Sequence, residues 1–158
     1  MIKTLNRIAI HERPFLAALI GGALVSLLPT LFINLISNHF PSTSPEELQS
    51  VSNFFSQGFG LLQIIFFAIV ILVVPVIEEF VFRGALWKLF LWINRSPKWT
   101  WIAISFLFAA IHIEPLHVIG LLPFSFFVGW LRLKTNSLGP SIVAHMSHNA
   151  VGCFIMML

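Results

Sequence analysis

Glu78 and Glu79 stand side by side, and Arg83 follows four residues after Glu79. On a helix, residues four apart share a face, so Glu79 and Arg83 can pair. Glu78 lies about 100° away around the axis. That spacing divides the labour: Arg83 neutralises and positions Glu79, and Glu78 is left facing a cavity as a candidate base. Further along, the run Phe108-Ala109-Ala110-Ile111-His112 ends in an imidazole. His145 and Asn149 sit four apart in His145-Met146-Ser147-His148-Asn149, with His148 near their face. Two neutral donors on a rigid helix, aimed into a dry cavity, suit an oxyanion hole. A carboxylate and an imidazole together can activate water. These groups point to hydrolysis of an amide. Competing structural roles are an ion pair at a helix end for Glu79 and Arg83, and interhelical hydrogen bonding for His145 and Asn149.

Helices in lipid must position these groups. The chain has 158 residues, 58% hydrophobic and 9% charged, with a mean hydropathy of +0.93. A soluble domain carries about 25% charged residues. In water this composition would expose apolar patches large enough to aggregate. A span needs about 20 mostly apolar residues. Five segments qualify as spans, the third and fourth short: 14–36, 58–93, 99–113, 117–131 and 140–157. The expected fold is an all-α membrane bundle of about five transmembrane helices. Residues 1–57 form an N-terminal span and a polar loop over 37–57, with a short helix begun at Ser44. Residues 58–158 form the bundle that carries the site. The 58–93 stretch makes about 54 Å of helix against a hydrocarbon core of about 30 Å. It must tilt, kink or project, and Pro75 is the expected kink because it removes a backbone hydrogen bond. The turn after this helix centres near Arg95. Glu78 lies 17 residues before Arg95 and His112 lies 17 after it, so an antiparallel hairpin brings them to similar depth.

Charge gives an orientation. With alternating spans, the basic residues outside them (Lys3, Arg7, Arg13, Arg95, Lys98, Arg132 and Lys134) fall on the side of the N-terminus. Glu46, Glu47 and Glu114 fall on the other. By the positive-inside rule the N-terminus is cytoplasmic. The net charge of +3 therefore reads as membrane topology, and no nucleic-acid partner is expected. Residue content excludes several chemistries. All six acidic residues are Glu, so an aspartyl dyad is absent. The one His-Glu pair, His11-Glu12, continues as Arg13-Pro14-Phe15 and makes no His-Glu-x-x-His motif. Ser105 and Ser125 lack a Gly-x-Ser-like setting, and a lone Cys153 excludes an internal disulfide. No internal repeat is visible, which argues against a secondary transporter.

Glu78-Glu79-Phe80-Val81-Phe82-Arg83, Phe108-x-x-x-His112 and His145-x-x-x-Asn149, in that order, resemble the CAAX-protease and bacteriocin-processing family of intramembrane proteases. The resemblance spans about residues 59–157. It implies that Glu78 is the general base on water, assisted by His112, and that His145 and Asn149 form the oxyanion hole. It further implies that Glu79 and Arg83 brace the site and that Phe108 packs beside it. His117 and His148 match no position of the pattern. The implied protein is a multi-pass enzyme of a prokaryotic plasma membrane. Its partners are the lipid bilayer and a membrane-anchored protein or peptide substrate. No cofactor and no metal are expected, since Asn149 is a poor zinc ligand and a good oxyanion donor. The alternatives are a zinc version using Glu78, His112 and His145 with an open position for water, and a non-catalytic scaffold or self-immunity protein of the same fold.

Overall fold

Proline punctuates the chain. It opens three helices and stands second in a fourth, where its missing N–H costs nothing and its fixed φ suits the first turn. A computed structural model describes residues 13–36, 60–112 and 115–155, leaving aside the side chains of 29, 30, 32–36 and 115–117. Among the described residues there are five helices and no strand: α1 Pro14–Ile36, α2 Leu61–Asn94, α3 Pro97–Ala110, α4 Pro115–Thr135 and α5 Gly139–Ile155. The loop expected over 37–57 with its helix start at Ser44, the carboxylates Glu46, Glu47 and Glu114, and the basic Lys3 and Arg7 lie outside the described residues.

The turn between α2 and α3 forms where the sequence places it. Arg95 takes a left-handed conformation at φ 58°, and its N–H closes on Leu91 O at 2.9 Å. Asn94 Oδ1 accepts from Ser96 N at 2.8 Å and from Thr100 Oγ1 at 3.2 Å. Ser96 then caps α3 by accepting from Trp99 N. Two C-terminal ends differ from expectation in ways that bear on the site. α4 runs on to Thr135 rather than stopping near 131, since Arg132 and Lys134 lie in its last turn, where cations oppose the negative end of the helix dipole. α3 stops at Ala110. His112 therefore stands in the turn beyond it, with its N–H bonded to Ala109 O at 3.2 Å.

The packing is inverted relative to a soluble protein. Glu79, Arg83, Thr100, Ser105 and Ser125 are fully buried, while Leu62 is 74% exposed and Trp92 69% exposed. Water would reverse that arrangement, whereas a hydrocarbon solvent favours it. Leu61–Asn94 and Val118–Thr135 are each long and apolar enough to cross a membrane. Between the helices lies a core built on Phe82, Trp87, Ile104, Phe108, Phe124, Val128 and Leu131. Small residues let the helices close up. Ala18, Gly22 and Ser26 recur every four residues along the buried stripe of α1. A Cβ on Gly22 would strike the Ala144 carbonyl of α5. A Cβ on Gly129 of α4 would lie 2.7 Å from Trp101 and 2.9 Å from Ser105 Oγ, both on α3.

Candidate active site

The backbone that carries Glu78 and Glu79 is not a uniform α-helix. Within α2, π-helical segments at Ile69–Val73 and Phe80–Leu86 flank the α-helical turn Val74–Glu79. A π turn bonds residue i to i−5 and so passes over one carbonyl. Val74 N–H bonds to Ile69 O, five residues back, and skips Val70 O. Pro75 has no N–H to offer that carbonyl. Asn149 Nδ2 on α5 donates to it instead, at 2.8 Å. At the second segment, Trp87 N–H bonds to Phe82 O and Gly84 O and skips Arg83 O. Arg132 Nε on α4 donates to that carbonyl at 3.1 Å. Each passed-over carbonyl thus takes a side-chain donor from another helix. The Glu78-Glu79 turn is held from both ends.

Glu79 sits at the centre of the polar network. Its Oε1 accepts from Arg83 Nη1 at 3.1 Å and lies 3.0 Å from His145 Nδ1. A carboxylate accepts, so Nδ1 carries the proton and donates. The other edge of the ring faces Glu78, with Nε2 3.4 Å from Oε2. His145 therefore lies between the two carboxylates. Arg83 Nη2 donates to Ser125 Oγ at 2.9 Å and to Ser125 O at 3.2 Å. Ser125 Oγ in turn donates to Ser105 O at 2.9 Å, and Ser105 Oγ donates to Ser125 O at 3.2 Å. The guanidinium lies 4.3 Å over the Phe108 ring, a cation–π contact that gains strength away from water. Glu79 and Arg83 are fully buried, whereas the Glu78 side chain keeps 27% of its exposure.

Phe108 joins the remaining groups. Its ring lies 5.6 Å from that of His145 and 5.3 Å from that of His112. His112 Nδ1 donates to Phe108 O at 3.0 Å, the only role a carbonyl partner allows. In the neutral ring this leaves Nε2 as an acceptor. No direct hydrogen bond or ion pair joins His112 to Glu78 among the described residues, and His112 is exposed. Asn149 has one N–H engaged with Val70 O and keeps a second. Among the described residues, no three His, Cys, Asp or Glu side chains gather as a metal site.

Three supports, Ser125, Ser105 and Arg132, were not anticipated in the sequence. Ser125 and Ser105 anchor Arg83, although the sequence reading weighed them only as nucleophiles. The available signal was a small polar residue inside an apolar helix, which in lipid seeks an interhelical partner. Arg132 read as a loop charge that sets orientation, and nothing in its spacing pointed to Arg83. His148 stacks face to face on Phe124, with ring centroids 3.9 Å apart and planes at 16°.

Fold and site together define an all-α membrane protein with an acid–base network enclosed in its bundle. The profile of the type II CAAX prenyl endopeptidase Rce1-like family matches residues 60–151. That match covers more than half of the chain and every motif position from Glu78 to Asn149. The chain belongs to this family, a family of peptidases. No curated protein and no solved structure matches the chain.

Proposed function

We propose that this chain is an intramembrane endopeptidase in which Glu78 activates a water against a peptide bond of a membrane-associated protein or peptide. One asymmetry carries the reading. Of two adjacent carboxylates, Glu79 is enclosed by Arg83 and His145, while Glu78 remains partly exposed beside His145 Nε2. A base must reach its water, and a brace need not. Glu78 takes a proton as the water oxygen bonds to the carbonyl carbon. Nε2 of His145, when protonated, and the free N–H of Asn149 donate to the oxyanion. Collapse of the intermediate breaks the C–N bond, and the proton held at Glu78 goes to the departing amine. His112 offers Nε2 as a second acceptor for the water. The family's description makes a prenylated protein with a CAAX terminus the first substrate to try.

The test compares protein termini in membranes carrying the wild type or Glu78→Gln at equal abundance, each with and without EDTA. New termini are expected only with the wild type, and EDTA leaves them in place. Cleavage retained by Glu78→Gln overturns the mechanism, and cleavage lost in EDTA moves the site to the zinc alternative. Purified protein then establishes direct cleavage.

The same proposal sets the N-terminus in the cytoplasm, from the basic residues Arg95, Lys98, Arg132 and Lys134 in alternate turns. Ser96→Cys in a Cys153→Ser background is expected to resist an impermeant maleimide in intact cells and to react in inverted vesicles. Labelling of intact cells reverses the topology.

A further inference from the structure

His148 has no part in the network around Glu79, yet its placement is tightly determined. Its ring is stacked on the fully buried Phe124. Its Nδ1 is enclosed with no protein partner. The ring lines a cavity of about 260 Å³, together with Phe66, Phe67, Val70, Asn149 and Gly152. An orphaned buried N–H is rarer than an under-used acceptor. Nδ1 therefore holds the lone pair, and in the neutral ring Nε2 carries the hydrogen. Stacking fixes the plane in which that N–H points.

We propose that His148 is a specificity-determining residue that donates a hydrogen bond to a carbonyl-type oxygen of the substrate in this cavity. The proposal rests on the peptidase reading above and extends it. The walls formed by Phe66, Phe67, Val70 and Gly152 are apolar, and the polar side chains His148 and Asn149 are sequence neighbours. A few placed polar groups on an apolar wall suit an amphipathic ligand. Asn149 is the candidate oxyanion donor. An acceptor at His148 therefore belongs to the stretch of substrate flanking the scissile bond. Two oxygens of that chemistry are available: an internal peptide carbonyl and the terminal carboxylate.

Gly152 supplies an independent handle. A Cβ built there meets nothing within 4 Å, so a larger side chain grows into the cavity without collision.

The experiment uses the full chain carrying Glu78→Gln in lipid nanodiscs. The probe is a fluorescent farnesylated peptide ending in a CAAX sequence, as the free acid and as the C-terminal amide. His148→Phe keeps the stack on Phe124 and removes the nitrogens. It is expected to weaken binding of the free acid about tenfold, on the scale of one lost hydrogen bond. Gly152→Leu is expected to block both peptides while the melting temperature holds. If the amide already binds weakly and His148→Phe weakens it no further, the acceptor is the terminal carboxylate. If both peptides lose affinity alike, it is an internal carbonyl. With Glu78 restored, His148→Phe raises KM by more than it lowers kcat. Binding that survives His148→Phe, or a loss confined to kcat, overturns the proposal and leaves the peptidase reading standing. A parent protein that neither binds nor cleaves either peptide overturns this proposal and the choice of a CAAX substrate, while the termini comparison with Glu78→Gln judges the peptidase reading separately.

Discussion

Glu78 and Glu79 are chemically identical, and one step along the helix separates their surroundings. Glu79 is enclosed by Arg83 and His145, and Arg83 is anchored in turn on Ser125. Removing one partner of a buried ion pair costs about 3–5 kcal/mol, because the other charge is left uncompensated. Arg83→Ala is therefore expected to lower both the yield of folded protein and its melting temperature in detergent. Replacing both members, as Glu79→Gln with Arg83→Met, leaves no stranded charge. That variant should recover much of the folded yield and none of the activity. An Arg83→Ala protein that melts like the parent would contradict the bracing role. The pairing of Glu79 with Arg83 was legible in the four-residue spacing alone. The anchoring by Ser125 was not, because the partner comes from a helix 42 residues away in sequence and serine in an apolar helix has many possible partners.

At the scale of the element, the sequence predicts a kink at Pro75, and the structure has a π turn ending just before it. The sequence shows where a helix must lose a hydrogen bond. It does not show which turn type absorbs the loss, since that depends on a donor from elsewhere reaching the freed carbonyl. Asn149 is that donor for Val70 O, which gives a motif residue a positioning role beside its proposed chemical one. Asn149→Ala should cost about 1–3 kcal/mol, the penalty for an unsatisfied buried acceptor. In a Pro75→Ala background the chain regains an N–H of its own near Val70 O. There Asn149→Ala should cost clearly less, a coupling of the kind a double-mutant cycle measures. Thermal unfolding of the four proteins decides it, and strict additivity would mean that Asn149 does not serve the freed carbonyl. His112 teaches the same lesson from the other side. The turn at Arg95 was legible, but the helix ends at Ala110 and the imidazole sits in the turn beyond.

For the whole molecule, membrane class and the five helices among the described residues were readable because composition and hydropathy act along every segment, whereas the order of packing was not. The family match begins at residue 60, yet α1 lies before it and packs against both α4 and α5. Its contact with α5 brings Gly22 against the Ala144 carbonyl and is reinforced by Ser147 Oγ donating to Leu19 O at 2.8 Å. In lipid such a seam depends on close backbone approach, since hydrocarbon offers no hydrophobic drive between helices. α5 is also the helix that carries His145, His148 and Asn149, so α1 backs the site from behind. Gly22→Leu places a side chain where the Ala144 carbonyl already sits. It should therefore lower the melting temperature and the activity together, although residue 22 touches none of the chemistry. Leu24→Ala on the same helix, at a side chain 60% exposed, should change neither. The pair is read by thermal unfolding and peptide cleavage on equal amounts of protein. Equal behaviour of the two variants would make α1 a passive anchor, while the expected split would make it a structural wall of the catalytic bundle.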